Sequence, residues 1–401
     1  MYERFIARQP IFDGRLKVFA YELLFRGGPQ NVFQARKDAS SSVIVDSTML
    51  FDLQTLTGPA KAFINADDSA LLQGAVRLLP LDRIVVEILE TVTPTPEIVD
   101  ACADLHSSGY VLALDDFLDH PKWQPLMPFA KFLKVDFRLS DEESRREMAR
   151  RYLPKGLHLL AEKVETQAEL EQARAFGYTY FQGYFFSKPT MVEGRNVPGN
   201  KLNYVRLLDA VNGAELRFEK VEEILKQEPS LVYKLLRYIN SPLFALRTEV
   251  HGISQAISLL GETEFRRWVS IVALVCMAGD KPPELIRTAL TRAYFCEEIS
   301  HPLRMTAHAS DLFLMGLLSM TDAILDMPMD QVLSHLPLSA EVHTALAGGS
   351  NRFRDVYETL LSYEQADWEN LSVQTAKIGT AEECVPKCYL SAAKRAAIVT
   401  I

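Results

Sequence analysis

The first 189 residues of this 401-residue chain alternate between short apolar runs and longer amphipathic stretches, and that rhythm limits the fold more than any other feature. The short runs are FINA (63–66), RIVVEI (83–88), YVLALD (110–115), KFLKVD (131–136), LHLLAE (157–162) and YTYFQG (178–183), with an early apolar stretch KVFAYELLFR (17–26). Each has strand length. Between them, TPEIVDACADLHSSG (95–109) sets Ile98, Val99, Ala101, Cys102 and Leu105 at helical spacing, and Gly109 stops it. DEESRREMARRYL (141–153) also reads as helix. Strand–helix alternation builds parallel βα units, either closed as a barrel or opened as a doubly wound sheet.

After TMVEGRNVPGN (190–200), a joint rich in Gly, Pro and Asn, the rhythm becomes helical. KLNYVRLLDAV, KVEEILKQE, PSLVYKLLRYIN, ISQAISLLG and TEFRRWVSIVALVCMAG carry apolar residues every three to four positions. Pro229 and Ser230 suit a helix start, and Gly261 and Gly279 suit helix ends. The expected organisation is an α/β domain over 1–190, a linker over 191–200 and an all-α domain over 201–401. The pair Arg266–Arg267 is read as a solvated helix face.

The net charge of −9 argues against non-specific nucleic-acid binding. No apolar run approaches the ~20 residues of a membrane span, and MYERFIARQP carries no hydrophobic leader. Five cysteines, odd in number, suit a reducing cytoplasm without a disulfide framework. Cys384 and Cys388 in CVPKC lack the further ligands of a zinc quartet.

The strands of the first half end alike. Asn65 follows AFI, Glu87 follows IVV, Asp115 follows LAL, Glu162 follows LLA and Gln182 follows YTYF. Lys134 and Asp136 sit in FLKVD, and Glu22 and Arg26 in the early stretch. In a βα barrel these ends converge on one mouth, and in an open sheet they face one crevice. Taken singly, each could begin a surface loop. Together, Glu22, Asn65, Glu87 and Asp115 are hard oxygen donors suited to Mg²⁺ or Mn²⁺, and Asp116 could hold a second ion. Two such ions would clamp a phosphoester and generate a hydroxide nucleophile, with Lys134 and Arg26 offsetting phosphate charge.

These residues resemble a known family. QPIFD (9–13) followed by ELLFR (22–26) is similar to the opening of an EAL-type cyclic di-GMP phosphodiesterase domain, where Glu-Ala-Leu precedes Leu-Arg. FINAD resembles its asparagine strand, VEILE (86–90) its Glu-Leu-Thr-Glu, LALDDF its Asp-Asp-Phe loop and FLKVD its Lys-Ile-Asp. AEKVET (161–166) resembles Ala-Glu-Gly-Val-Glu-Thr with Lys163 for Gly, and QGYFFSKP (182–189) resembles the closing motif. The resemblance implies a modified TIM barrel, two Mg²⁺ or Mn²⁺ ions and cleavage of cyclic di-GMP to its linear form. It implies Glu22, Asn65, Glu87 and Asp115 as metal ligands and Asp116 as the residue that bridges or holds the second ion. Lys134 and Glu162 would orient and activate water, Gln182 would complete the site, and Gln9 and Arg26 would contact base and phosphate. Glu90 would support the loop after Asp116. The second half, above all PSLVYKLLRYINSPLFALRTEVHGISQAISLLG, resembles an HDOD domain. None of its histidines, His251, His301 and His308 among them, precedes an aspartate as HD-type hydrolysis needs. It is therefore expected to be an output module for a protein partner.

The chain departs from the family after Asp-Asp-Phe, where Leu118, Asp119, His120 and Pro121 replace Gly-Thr-Gly-Tyr-Ser, so that loop cannot follow the same path. Position 23 carries Leu for Ala, and the barrel half is shorter than a ~250-residue standard barrel, so one or more helices are expected to be trimmed or lost. Whether the chain is an enzyme stays open. Three readings follow: a metal-dependent phosphodiesterase, a cyclic di-GMP receptor that does not cleave, and a scaffold that binds no nucleotide. A homodimer is allowed. Phe185, Phe186 and Trp123 are read as packing residues rather than guanine stackers.

Overall fold

The computed structural model describes residues 4–27, 53–187, 199–227 and 253–398, apart from 214, 217 and 280, and within 228–252 only Leu231, Ile239 and Val250. The PSLVYKLLRYIN run and His251 therefore lie largely outside the described residues. Two compact units emerge. The first comprises Met1–Lys188, Leu361–Thr375 and Ala381–Leu390; the second comprises Pro189–Leu360, Ala376–Thr380 and Ser391–Ile401.

The first unit is a closed barrel of eight strands in chain order. They are β1 (Arg4–Asp13), β2 (Val18–Gly27), β3 (Lys61–Ala66), β4 (Ile84–Ile88), β5 (Val111–Leu114), β6 (Ala130–Asp136), β7 (His158–Glu162) and β8 (Tyr180–Gln182). β1 runs antiparallel to both neighbours, β2 and β8, while every other pairing is parallel. The β1–β2 hairpin was expected only in part: QPIFD marks a motif, but strand β1 as a whole was not anticipated.

Pleating decides what faces inward, because alternate side chains share a face. Ile11, Ala20, Phe63, Val85, Ala113, Phe132 and Leu160 form one buried cluster inside the barrel. Phe63 meets Phe132 at 5.5 Å between ring centroids, and Phe132 meets Tyr180 at 5.2 Å, so the interior is filled rather than hollow. A second, larger cluster, including Ile64, Val86, Leu112, Leu133 and Leu159, packs the outer strand faces.

Helices α1 (Pro96–Ser107), α2 (Glu142–Tyr152) and α3 (Gln167–Phe176) cover the barrel. Thr95, Asp141 and Thr166 cap their first turns through side-chain oxygens. Between β5 and β6 stands only a single 3₁₀ turn, Pro121–Trp123. Pro121, Pro125 and Pro128 in PKWQPLMPFA bar an α-helix there. This is a lost helix of the kind the short barrel half implies. Trp123 is buried with Phe117, and Phe185 packs on Phe12 at 5.6 Å, so these aromatics serve packing.

The C-terminal stretches 361–375 and 381–390 fold with the barrel, whereas the expected division gave all of 201–401 to the helical half. Tyr363 is fully buried, and Leu390 packs on the barrel's outer core. The second unit contains α4 (Gly199–Asn212), α5 (Phe218–Gln227), α6 (Ile253–Met277), α7 (Pro283–Ile299) and α8 (Ala309–Leu318). Gly261 breaks α6 with φ +74°. Arg266 and Arg267 are not solvated as expected: Arg267 pairs with Glu297 and lies 4.6 Å over the Phe313 ring, and Arg266 donates to the Gly213 carbonyl at 2.9 Å. Glu297 sits on a neighbouring helix, a partner that periodicity along α6 could not show. His301 and His308 are exposed. Among the described residues, no helix is long and apolar enough to cross a membrane.

Candidate functional site

Each strand places its functional residue two positions beyond an interior core residue, so the same pleat that buries the core lifts the polar group to the mouth. Glu22 stands beyond Ala20, Asn65 beyond Phe63, Glu87 beyond Val85 and Asp115 beyond Ala113. Lys134 stands beyond Phe132, Glu162 beyond Leu160 and Gln182 beyond Tyr180. On the antiparallel β1 the same step runs backward, from Ile11 to Gln9, and Gln9 pairs in register with Glu22.

Lys134 is the centre of the cluster. It is 1% exposed, and its Nζ lies 2.9 Å from Glu162, 3.0 Å from Asp115 and 3.4 Å from Glu22, and also contacts Glu87. Gln182 Nε2 donates to Glu22 at 2.6 Å and to Gln9 Oε1 at 3.2 Å. One ammonium does not offset burial equally for the carboxylates around it. Burial, then the Glu22 carboxylate, push Glu87 well above the usual range. Burial pushes Glu162 up to about 8 against the pull of Lys134. Burial opposes ionisation of Asp115 most strongly, but the Lys134 ammonium together with hydrogen bonds from Glu87, Lys134 and the Asp116 backbone outweighs it and holds Asp115 below its ordinary value. Lys134 is itself raised well above 10.5: burial works against its charge, but the surrounding carboxylates prevail.

Four buried oxygens of this ring, Asn65 Oδ1, Glu87 Oε2, Glu162 Oε2 and Gln182 Oε1, accept no hydrogen bond. Unpaired buried polar atoms cost ~1–3 kcal/mol each. An excess of acceptor oxygens in one buried cluster fits a divalent cation held by hard ligands, with Glu22, Asn65, Glu87 and Asp115 as the donor set. A second position adjoins it. Carboxylate oxygens of Glu90, Asp115 and Asp116 lie within 4.8 Å of one another, so Asp115 is common to both. Burial, then Asp115, raise the pKa of Asp116. Asp116 adopts φ +38°, a left-handed conformation that aspartate tolerates better than most residues.

The ring floors a cleft of about 470 Å³, a size suited to a small ligand. Arg138, Lys163, Glu165, Tyr184 and Gln365 line it as well. Lys163 also adopts a left-handed backbone, φ +53°, and its ammonium pairs with buried Asp136. Arg26 lies on β2 opposite Phe5, but its side chain is outside the described residues. The loop after Asp116 runs over α2: Asp119 accepts from Tyr152 Oη at 2.5 Å and pairs with Arg151. Lys122 Nζ ties it to the Glu90 carbonyl at 2.6 Å.

Sequence reasoning missed Arg138, Glu165, Tyr184 and Gln365. The first three follow motif residues closely, and their nearness to Asp136, Glu162 and Gln182 was the available signal. Gln365 had none, since it lies beyond the whole helical stretch.

Comparison with known proteins gives two family matches: the EAL domain over residues 48–189 and the HDOD domain over residues 198–336. Cyclic di-GMP phosphodiesterase CdgJ of Vibrio cholerae is 34% identical over 384 residues, 94% of this chain and 89% of that protein. The uncharacterized protein YuxH of Bacillus subtilis is 32% identical over 398 residues, 97% of each. Among solved structures, a calcium and cyclic di-GMP complex of Klebsiella pneumoniae BlrP1 is 24% identical with a TM-score of 0.40, covering 47% of this chain and 56% of that one.

Proposed function

The chain belongs to the family that joins an EAL domain to an HDOD domain, and from that premise we propose that its barrel hydrolyses cyclic di-GMP with divalent metal. The observation that carries this is the ring itself: four carboxylates and two amides around Lys134, with four buried oxygens aimed at no donor. Glu22, Asn65, Glu87 and Asp115 would hold one ion, Asp115, Asp116 and Glu90 a second. Bound there, two Mg²⁺ or Mn²⁺ ions would polarise the phosphodiester and lower the pKa of water.

The chain's own residues do the rest. Water adds to phosphorus, one P–O bond of the ring breaks, and the departing sugar oxygen takes a proton, giving a linear dinucleotide. Glu162, with a pKa raised to about 8, is basic enough to accept the water proton once it is ionised, a form that the Lys134 ammonium at 2.9 Å favours. Lys134 stays protonated, so it acts as a fixed positive charge for the developing negative oxygen rather than as a base. Gln182 fixes Glu22 and Gln9 through its amide. Gln9 and Arg26 would meet base and phosphate. The helical second unit, with no described metal-ligand cluster, would act as a partner-binding output module.

A receptor that binds without cleaving is the second reading. The placement of Lys163 favours it, since a tethered ammonium beside Asp136 competes with a divalent ion for the charge of Asp116.

The test is calorimetric titration of cyclic di-GMP in Ca²⁺, then product chromatography in Mg²⁺ and Mn²⁺, with Glu22→Ala alongside. Binding with linear product, both lost in the variant, is expected. Binding without product would leave the receptor, and no binding in any metal would leave a scaffold.

A further inference from the structure

The C-terminal stretch that folds with the barrel reaches the mouth. Tyr363 is its anchor: fully buried, it donates from Oη to the Ile6 carbonyl on β1 at 2.6 Å. The rings of Trp368 and Tyr389 pack on it at 5.8 and 4.9 Å. A buried tyrosine hydroxyl that finds its partner gives a docked segment direction as well as area. Just beyond the anchor the helix Arg352–Glu364 ends, and the chain turns through Ala366 at φ +56°.

That turn touches the site in two ways. The Glu364 carbonyl accepts a long 3.5 Å hydrogen bond from Gln9 Nε2. Gln9 in turn accepts from Gln182, which donates to Glu22, so amides link the turn to the carboxylate ring. Gln365, exposed, forms part of the cleft wall. A glutamine amide both donates and accepts, which suits the edge of a nucleobase and offers nothing special to a phosphate.

We propose that the turn over residues 363–367 is a wall of the nucleotide cleft, with Gln365 contacting a base of the cyclic dinucleotide and Tyr363 as the residue that positions it. This rests on the proposed function for its ligand. The barrel motifs then supply metal, phosphate and water chemistry, and a segment encoded beyond the HDOD match supplies part of the base recognition. Reciprocity follows: whatever loosens the turn weakens nucleotide binding, and bound nucleotide holds the turn in place.

The experiment uses the full chain. Cyclic di-GMP is titrated calorimetrically in Ca²⁺, turnover is measured in Mn²⁺, and amide hydrogen exchange is followed over residues 361–370 with and without nucleotide. Gln365→Ala is expected to raise Kd and KM about tenfold, the loss of one good base contact, with kcat and Mn²⁺ affinity unchanged. Gln365→Asn should recover part of the loss. Nucleotide should slow exchange over 361–370 in the wild type. Tyr363→Phe should speed that exchange in the free protein and raise KM. If the wild type binds but Gln365→Ala binds equally well and nucleotide leaves exchange over 361–370 unchanged, the inference is overturned and the proposed function stands. If the wild type binds no nucleotide, both fall.

Discussion

Replacing Glu87 with Gln separates metal binding from folding. Glu87 is fully buried, one oxygen contacts Lys134, and the other meets no donor. Burial and then the Glu22 carboxylate raise its pKa well above the usual range, which favours its neutral form when no metal is bound. Gln is isosteric with that neutral acid. The metal-free variant should therefore keep its stability within about 1 kcal/mol, about 2–4 °C in Tm for a unit of this size. With metal the two proteins diverge. At a metal concentration 100 times Kd, the wild type gains about 2.7 kcal/mol, or about 5–11 °C. A 100-fold weaker site gains only about 0.4 kcal/mol at that concentration, or about 1–2 °C. Scanning calorimetry in EDTA and in Mn²⁺ reads both. An equal Mn²⁺ shift in both proteins would refute a metal role for the ring. A metal-free Tm far below wild type would show that Glu87 is held as an anion by Lys134, and the charge reasoning would fail.

Three further outcomes are expected. Glu162, pushed up to about 8, borders the proposed ligands without being one, so a bound cation favours its ionised form and drives off its proton in the window below about pH 8. Affinity therefore rises with pH through that window, and the calorimetric heat depends on the buffer's ionisation enthalpy; a flat profile with buffer-independent heat would count against it. Gly183 has φ +144°, and a Cβ there would lie 2.1 Å from the Val164 carbonyl oxygen. Gly183→Ala should thus cost at least about 3 kcal/mol in urea denaturation, and a wild-type midpoint would contradict the placement. Lys163→Gly relieves a left-handed backbone worth about 1–2 kcal/mol and gives up a lysine pair more than half exposed and worth under about 1 kcal/mol. Stability should hold or rise while Mn²⁺ binding at Asp116 tightens, read by spin-resonance titration; weaker Mn²⁺ binding would refute competition by Lys163.

What the sequence disclosed and what it hid follow one physical line. Glu22, Asn65, Glu87, Asp115, Lys134, Glu162 and Gln182 were legible because a strand has a period of two, and each sits one pleat beyond an apolar residue of its own strand. β1 was less visible: RFIARQPIFD mixes charges with a proline that a hairpin beside antiparallel neighbours tolerates. The lost helix between β5 and β6 was implied by barrel length, and its three prolines locate it. Arg267 and Gln365 were misread or missed because their partners, Glu297 and the barrel mouth, are far away in sequence.

Ring and loop therefore answer to different constraints. The ring is fixed by strand register, since each of its groups stands on a buried strand whose neighbours are set by the ladder. A changed loop cannot move it without slipping a strand. The loop after Asp116 is fixed by contacts outside the ladder: Asp119 to Tyr152 and Arg151, and Lys122 to the Glu90 carbonyl. These hold it against α2 and the segment just after β4, next to the carboxylates of Glu90, Asp115 and Asp116. Replacing small glycines by Leu118, Asp119, His120 and Pro121 thus changes the surroundings of Glu90 and Asp116 while leaving Glu22, Asn65, Glu87 and Asp115 where β2, β3, β4 and β5 put them. The two proposed positions would share Asp115 and differ in framing: the first would take its ligands from strand ends, where Lys134 must yield carboxylates it now contacts, and the second from a loop.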